Sequence, residues 1–225
     1  MSTPLPKREE IPLPTALAPM GAEAIRALWK QRRDFYAQAH LYEDIRIRVH
    51  RALSWMAAAE SRGQNERDTQ LLEWWAAAGS LFARWSAVLH APLPIREATD
   101  SFARQAIEWD RDGLLRALLP TLRDRAAPMW TDPYLAAALG MSGASDAENA
   151  VPTDPTSFLA GSLWRSGLTA QQLTLGAATY GGAQNRIAVD RSAWLLQQLL
   201  PALLQVIIDH GYVDDWGPLC SPPRE

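Results

Sequence analysis

An apolar stripe with helical spacing runs from Leu71 to Leu89 and limits what this part of the chain can form. Its members follow one another in alternating steps of four and three residues: Leu71, Trp75, Ala78, Phe82, Trp85 and Leu89. This spacing places every member on one side of an α-helix. Asp68 and Thr69 are suitable N-caps, and two prolines after Leu89 end the pattern. The stripe predicts a long helix packed along its length against another helix.

Helical periodicity extends over most of the remaining chain. The other segments that we expect to be helical are residues 22–39, 42–62, 96–109, 112–126, 132–139, 157–175 and 185–209. Pro120 and Pro201 should bend or divide the helices that contain them. No segment carries a convincing strand pattern. The sequence therefore predicts an all-α fold, a helical bundle of about six to eight helices with a long final helix.

The domain organisation follows from the positions of proline and glycine. Residues 1–20 contain five prolines and predict an extended arm. Residues 21–210 should form a single helical domain, in which about 95–156 is the part with the least certain role. Within that part, residues 140–156 are rich in Ser, Ala, Gly and Asp and predict a loop. Residues 211–225 form a proline-containing tail, where Trp216 is an expected anchor.

Composition favours a soluble cytoplasmic protein. The net charge of −3 and pI near 5.8 argue against a protein whose main task is to grip a phosphate backbone. A single cysteine, Cys220, excludes an intrachain disulfide and fits a reducing compartment. Residues 1–20 lack the apolar core of a secretory signal. Glutamines and a proline interrupt the apolar residues 195–208, so we expect no membrane span.

Two segments of the chain resemble the HEPN superfamily, in particular its Apea-like branch of small bacterial proteins. The first is RIRVHRALSWMAAAE at residues 46–60, followed by the Trp-rich helix. The second is LGAATYGGAQNR at residues 175–186, then a long helix and DDWGPLCSPP at residues 214–223. In that branch the second region reads approximately RNQLVHGGATWNSxVNR, a long helix and xDWGxxCxPP. The resemblance covers both ends of the chain and leaves about 95–160 unmatched.

This resemblance implies a known chemistry and also its loss. HEPN ribonucleases cut RNA without a metal, using an Arg followed four to six residues later by a His, brought together across a dimer of helical bundles. Histidine can move a proton near neutral pH, and arginine can hold the phosphate. Here the motif His falls on Leu175 and the motif Arg on Ala170. Arg165 is the nearest upstream cation, and no His follows before His210.

The implied function is therefore a catalytically inactive HEPN-like module that acts through protein association or RNA binding. The family setting is bacterial defence or a toxin–antitoxin pair, and the expected assembly is a homodimer or a hetero-oligomer with another protein. No cofactor is expected. The candidate interface residues are Trp75, Trp85, Leu199 and Leu203.

An active enzyme is the alternative. Arg84 and His90 satisfy the Arg-x4-6-His spacing formally, so the chain could be a metal-independent endoribonuclease with a displaced site, or one completed by a partner. Basic residues of the first two predicted helices are candidates for RNA contact, although such residues commonly only solvate a helix face: Arg26, Lys30, Arg33 and Arg48.

Other patterns predict no further chemistry. His40 and Glu43 have helical metal-ligand spacing, but a metal site in a bundle needs more ligands from facing helices. Residues 140–144 miss the nucleophile-elbow pattern, and residues 176–182 predict a turn between two helices rather than a phosphate loop. Five carboxylates are expected on a solvated surface: Glu97, Asp100, Glu108, Asp110 and Asp112.

Overall fold

The computed structural model describes residues 20–36, 42–63, 65–138, 150–183, 185–213 and 215–220. Within these residues the chain forms eight α-helices and one short β-hairpin. The helices are α1 Ala22–Tyr36, α2 Tyr42–Glu60, α3 Arg67–Phe82, α4 Ile95–Trp109, α5 Leu114–Ala126, α6 Pro133–Ala138, α7 Pro155–Thr174 and α8 Arg186–His210. The strands are β1 Trp85–Ser86 and β2 Ala91–Pro92, and 3-10 turns follow α5 (Ala127–Met129) and α8 (Gly211–Val213). The predicted all-α class and the long final helix are confirmed.

The helix α8 runs through the middle of the core. It contacts α1, α3, α4, α5 and α7, and residues 199–210 are buried without interruption. A helix that is apolar all round is stable only when other elements surround it. The interface prediction for Leu199 and Leu203 is therefore wrong, because the helices that pack around α8 already bury both side chains.

By length and composition α8 passes the test for a helix that could cross a membrane. It is the one such helix among the described residues, although the sequence pattern suggested a stretch too short and too polar. Inside the fold, 83% of its most apolar 18-residue window is buried. Here α8 is the central helix of the bundle.

The predicted helix from Leu71 to Leu89 ends early, at Phe82. Ala83 takes an extended conformation, and the chain then forms the β1–β2 hairpin, in which Trp85 pairs with Pro92 and Ser86 with Ala91. Prolines 92 and 94 favour extended backbone in the residues before them. The Arg48 side chain of α2 donates hydrogen bonds to the carbonyl groups of Leu81 and Ala83, so the last turn of α3 is capped from another helix. The expectation of no strand was wrong here.

The central residues belong to the same core as the rest. α4 packs along α7, and α5 contacts both α7 and α8 without being divided at Pro120. α7 begins two residues earlier than predicted, because Asp154 caps it by accepting a hydrogen bond from the Ser157 amide at 2.8 Å. Residues 140–149 of the predicted loop 140–156, and residues 1–19 of the predicted arm 1–20, lie outside the described residues.

Candidate functional site

The connection between α7 and α8, residues 175–185, is tied to the start of α3 by one buried carboxylate. We call it the 175–185 loop; Gln184 lies outside the described residues. Asp68 accepts hydrogen bonds from the Gly181 amide at 2.7 Å and from Arg186 Nη1 at 2.6 Å. Burial alone would raise the pKa of Asp68, but these two hydrogen bonds and the positive charge of Arg186 outweigh it and lower the pKa below its usual value.

The inner side of the same loop is also hydrogen-bonded. Asn185, in the left-handed region with φ of 58°, donates from Nδ2 to Gln172 Oε1 at 2.9 Å. Arg186 Nη2 donates to the Gly182 carbonyl, also at 2.9 Å. Gly181 has a φ of 65°, which few side-chain-bearing residues adopt. The glycine-rich run therefore makes a fixed turn between two helices, as its sequence predicted.

The two positions to which the HEPN resemblance would assign the catalytic pair lie in different environments. Ala170 is buried in the last turns of α7, whereas Leu175 follows the end of that helix with 75% of its surface exposed. An alanine offers no group to hold a phosphate, and a leucine offers no group to move a proton. The geometry and the residue types together leave no acid–base chemistry at this pair.

Three large apolar side chains are exposed at this end of the α7–α8 pair. Leu175 is 75% exposed, Tyr180 on the loop 68%, and Ile187 in the first turn of α8 66%. We call these three residues the loop surface. The Tyr180 hydroxyl lies 3.5 Å from Thr69 Oγ1 of α3. The three lie within 13 consecutive residues of the chain, and exposed large apolar side chains on one segment are candidates for a contact surface.

The alternative pair, Arg84 and His90, lies on the β1–β2 hairpin, with Arg84 before β1 and His90 before β2. Arg84 lies at the open end of the hairpin, where its carbonyl accepts from the Leu93 amide and its Nη2 donates to Ser101 Oγ at 3.2 Å. His90 lies in the turn, exposed, with φ of 49°. Two cross-strand pairs separate the two positions, which places their backbones about 10 Å apart at about 3.4 Å per residue. Among the described contacts no hydrogen bond joins the two side chains, and the displaced site stays a prediction.

The basic candidates for RNA contact fall into two groups. Arg26, Lys30 and Arg33 are exposed and share one face of α1. Arg48 is only 1% exposed, and its guanidinium donates to five backbone carbonyls, so the prediction that it contacts RNA is wrong. Those carbonyls belong to Leu81, Ala83, Trp216, Gly217 and Pro218.

The carboxylates are not all solvated. Asp110 is completely buried, and its two oxygens accept from the Leu115 and Arg116 amides at the start of α5, so its prediction as a surface residue is wrong. Asp112 Oδ2 lies 2.8 Å from His210 Nε2, within hydrogen-bond distance. Glu97, Asp100 and Glu108 keep solvent-facing surface.

No metal centre is formed in the part of the chain that the structure describes. Groups of three or more His, Cys, Asp or Glu side chains that could hold an ion are absent from these residues. His40 lies outside the described residues, and so does the side chain of Glu43. That candidate pair therefore stays a sequence prediction.

The two tryptophans predicted at an interface are partly buried within the chain. The Trp75 ring lies against Gly167 of α7, and a Cβ added to Gly167 would come within 2.6 Å of that ring. The centroids of the Trp75 and Phe82 rings are 5.4 Å apart. Trp85 lies on β1. Trp75 thus mainly joins α3 to α7.

Sequence reasoning missed the role of Asp68 and two arginines that stack on tryptophans. Arg96 of α4 lies over the Trp164 ring at 4.5 Å, and Arg165 of α7 lies over the Trp130 ring at 4.5 Å. The adjacent letters Trp164 and Arg165 are a weak signal, because adjacent residues on a helix point in different directions. Asp68 sits at a helix start, where a capping role is the ordinary interpretation.

Comparisons of the chain with protein-family models, with curated proteins and with solved structures found no match.

Proposed function

We propose that the protein is a non-catalytic, HEPN-like helical module that associates with a second copy of itself through the loop surface. One observation carries the proposal. Leu175 is three-quarters exposed at the position where the family resemblance places a catalytic histidine, on a loop that hydrogen bonds hold in place. An exposed leucine there supplies contact area instead of chemistry.

The loop is suited to protein contact by its order and its charge. The hydrogen bonds to Asp68 and Gln172 fix it before a partner arrives, so little conformational entropy remains to be lost on binding. Arg186, which follows the loop directly in the chain, is paired with Asp68. A neutral apolar surface favours a protein partner over a phosphate backbone, which binds unpaired cations.

Sedimentation velocity on the full chain tests the association. We expect a concentration-dependent dimer for the wild type and a monomer for the double variant Leu175→Glu and Ile187→Glu, since the new carboxylates would be desolvated in the contact. Val88→Glu is the matched control, because Val88 is 88% exposed at the hairpin turn, away from the loop surface. A wild type that stays monomeric at all concentrations, or a double variant that dimerises like the control, contradicts the proposal.

An RNA cleavage assay separates the module from an enzyme. We expect no cutting above background at any protein concentration. Robust cutting that His90→Ala or Arg84→Ala abolishes would replace the proposal with the displaced endoribonuclease. Cutting that appears only on addition of a second HEPN protein would indicate a site completed by that partner.

The biological setting belongs to the same proposal. The family resemblance supports a role in bacterial defence or in a toxin–antitoxin pair, where an inactive module can bind an active partner. If the assembly binds RNA, the exposed face of α1 that carries Arg26, Lys30 and Arg33 is the surface that contacts it. Loss of RNA retention in a gel-shift assay on changing these three residues to Gln, with dimerisation intact, would assign RNA binding to that face.

A further inference from the structure

A groove of about 560 Å³ is formed by the base of the β1–β2 hairpin, the link from β2 to α4 and the exposed face of α4. Small-molecule sites in proteins commonly have volumes of about 300–1,000 Å³, so the groove has room for a ligand. Leu93 and Pro94 give it an apolar part. Its charged lining consists of three arginines and two carboxylates: Arg84, Arg96, Arg104, Glu97 and Asp100.

Two of the three arginines are held in place by uncharged neighbours. Arg84 Nη2 donates to Ser101 Oγ at 3.2 Å, and the Arg96 guanidinium lies over the Trp164 ring at 4.5 Å. A hydroxyl group and a ring face orient these cations without neutralising them. A guanidinium carries five N–H donors, so both side chains keep donors for a ligand.

The carboxylates of the groove are not paired with its arginines. Arg96, Asp100 and Arg104 follow one another at the four-residue spacing at which opposite charges on a helix can pair. Within the described residues, however, neither Asp100 nor Glu97 forms an ion pair or a side-chain hydrogen bond. Charges of both signs are therefore available to a ligand in one groove.

This combination of charges excludes ligands of one sign. A simple anion would meet the two carboxylates, and a simple cation would meet the three arginines. A neutral apolar molecule would remove water from all five charged groups and return no ion pair to any of them. A ligand with a carboxylate and an ammonium group can pair with both kinds of side chain, and Leu93 and Pro94 can contact its apolar part.

We propose that the groove binds a zwitterion with an apolar side chain, either a free amino acid or a short peptide. The ligand carboxylate contacts Arg104, and the ligand ammonium group contacts Asp100, one helical turn earlier on α4. Arginine is suited to the first contact, because its planar fork matches the two oxygens of a carboxylate. None of the groove residues belongs to the loop surface, so this inference does not depend on the proposed dimer.

Calorimetric titration of the full chain with L-leucine and with trileucine, at constant ionic strength, tests the ligand class. We expect saturable binding of one molecule per chain. Binding of leucine identifies a free amino acid as the ligand, and binding of trileucine alone identifies a peptide. The N-acetylated and the amidated forms of the ligand that binds each lack one charge, and both should bind about tenfold more weakly or less.

Variants of α4 test the contacts. Asp100→Asn and Arg104→Gln should each weaken binding about tenfold, because each removes one charged partner of the ligand. Glu108→Gln is the matched control, since Glu108 is exposed one turn beyond Arg104 and does not line the groove. Its affinity should stay within about twofold of the wild type.

Asp100 and Arg104 both keep solvent-facing surface, so neither substitution should prevent folding, and melting temperatures check this. Three outcomes overturn the proposal. They are the absence of saturable binding of both ligands, equal binding of the forms that lack one charge, and wild-type affinity in both α4 variants.

Discussion

At the scale of single residues, Arg48 contacts the end of α3 and the C-terminal residues 216–218 with one guanidinium. Burial, followed by the charge of Arg84, lowers its pKa to about 10, so it remains a cation at neutral pH. Arg48→Met should lower the free energy of unfolding by about 2–5 kcal/mol, because buried carbonyls lose charged donors. Urea unfolding measures this. Arg51→Met, exposed one turn along α2, should change it by less than about 0.5 kcal/mol.

The buried carboxylate of Asp68 gives stability a defined pH dependence. Because its pKa is lowered in the folded state, its contribution is complete above the ordinary aspartate value and is lost as the pH falls through the lowered value. Asp68→Asn should cost about 1–3 kcal/mol at pH 7. The difference from the wild type should shrink below about pH 4.

Urea unfolding at pH 7, 5 and 3 measures the effect of Asp68→Asn. The exposed Asp124→Asn on α5 is the control, and its difference from the wild type should be small. If the difference in the free energy of unfolding between Asp68→Asn and the wild type stays constant down to pH 3, the ion pair with Arg186 does not stabilise the fold.

Residue burial could be predicted in part from spacing. Ile45, Arg48, Val49 and Ala52 follow the i, i+3, i+4, i+7 pattern of one helix face, so the position of Arg48 beside the core was readable in the sequence. The carbonyl groups that accept its hydrogen bonds could not be predicted, because three of them lie 168 to 170 residues away along the chain. The same holds for Asp68, whose partners are Gly181 of the distant 175–185 loop and Arg186 at the start of α8.

At the scale of elements, the contact between α3 and α7 depends on a glycine. A Cβ on Gly167 would lie 2.6 Å from the Trp75 ring and 3.2 Å from Ile95, so Gly167→Ala should lower stability by about 1–3 kcal/mol through overpacking. Gly79→Ala on α3 is the control. With no atom within 4 Å of its added Cβ, it should raise stability by up to about 1 kcal/mol through helix propensity.

Thermal unfolding of both glycine variants measures the two effects. A rise in melting temperature for both would mean that Trp75 moves aside at little cost. A fall for Gly79→Ala would mean that the exposed side of α3 is more restricted than its surroundings indicate.

The early end of α3 shows why element boundaries are harder to predict than elements. Trp85 and Leu89 continue the helical spacing of Leu71 to Phe82, yet the chain has already turned into the hairpin. Periodicity reports which residues are apolar, and a hairpin with partly buried strands also needs apolar residues. The deciding interaction, the capping of α3 by Arg48, comes from another helix and leaves no local trace.

At the scale of the whole molecule, self-association should make stability depend on protein concentration. Dimerisation of folded chains stabilises them by mass action, so the melting temperature should rise by roughly 1–2 °C for each tenfold increase in concentration. The Leu175→Glu, Ile187→Glu variant should melt at one temperature throughout. Scanning calorimetry at several concentrations measures this, and a wild type without concentration dependence would argue against a dimer.

The bundle as a whole was predictable because it rests on many residues with one periodicity. The long final helix was predictable for the same reason, since its apolar content exceeds what a surface helix carries. Surfaces were not. Whether Leu175, Tyr180 and Ile187 are exposed depends on how α7 and α8 pack and on the hydrogen bond from the loop to Asp68.

The central position of α8 also sets an order of events during synthesis. Ribosomes deliver the N-terminal helices first, and α1 and α3 then have no α8 against which to bury their apolar sides. The hydrogen bonds of Arg48 to residues 216–218 form later still, because these three acceptors follow α8 in the chain. Until residues 186–218 emerge, the apolar surfaces of α1 and α3 that α8 covers stay exposed to water, which makes an incomplete chain prone to aggregation. The contacts of α8 and of residues 216–218 with the earlier helices can therefore form only after those helices have been synthesised.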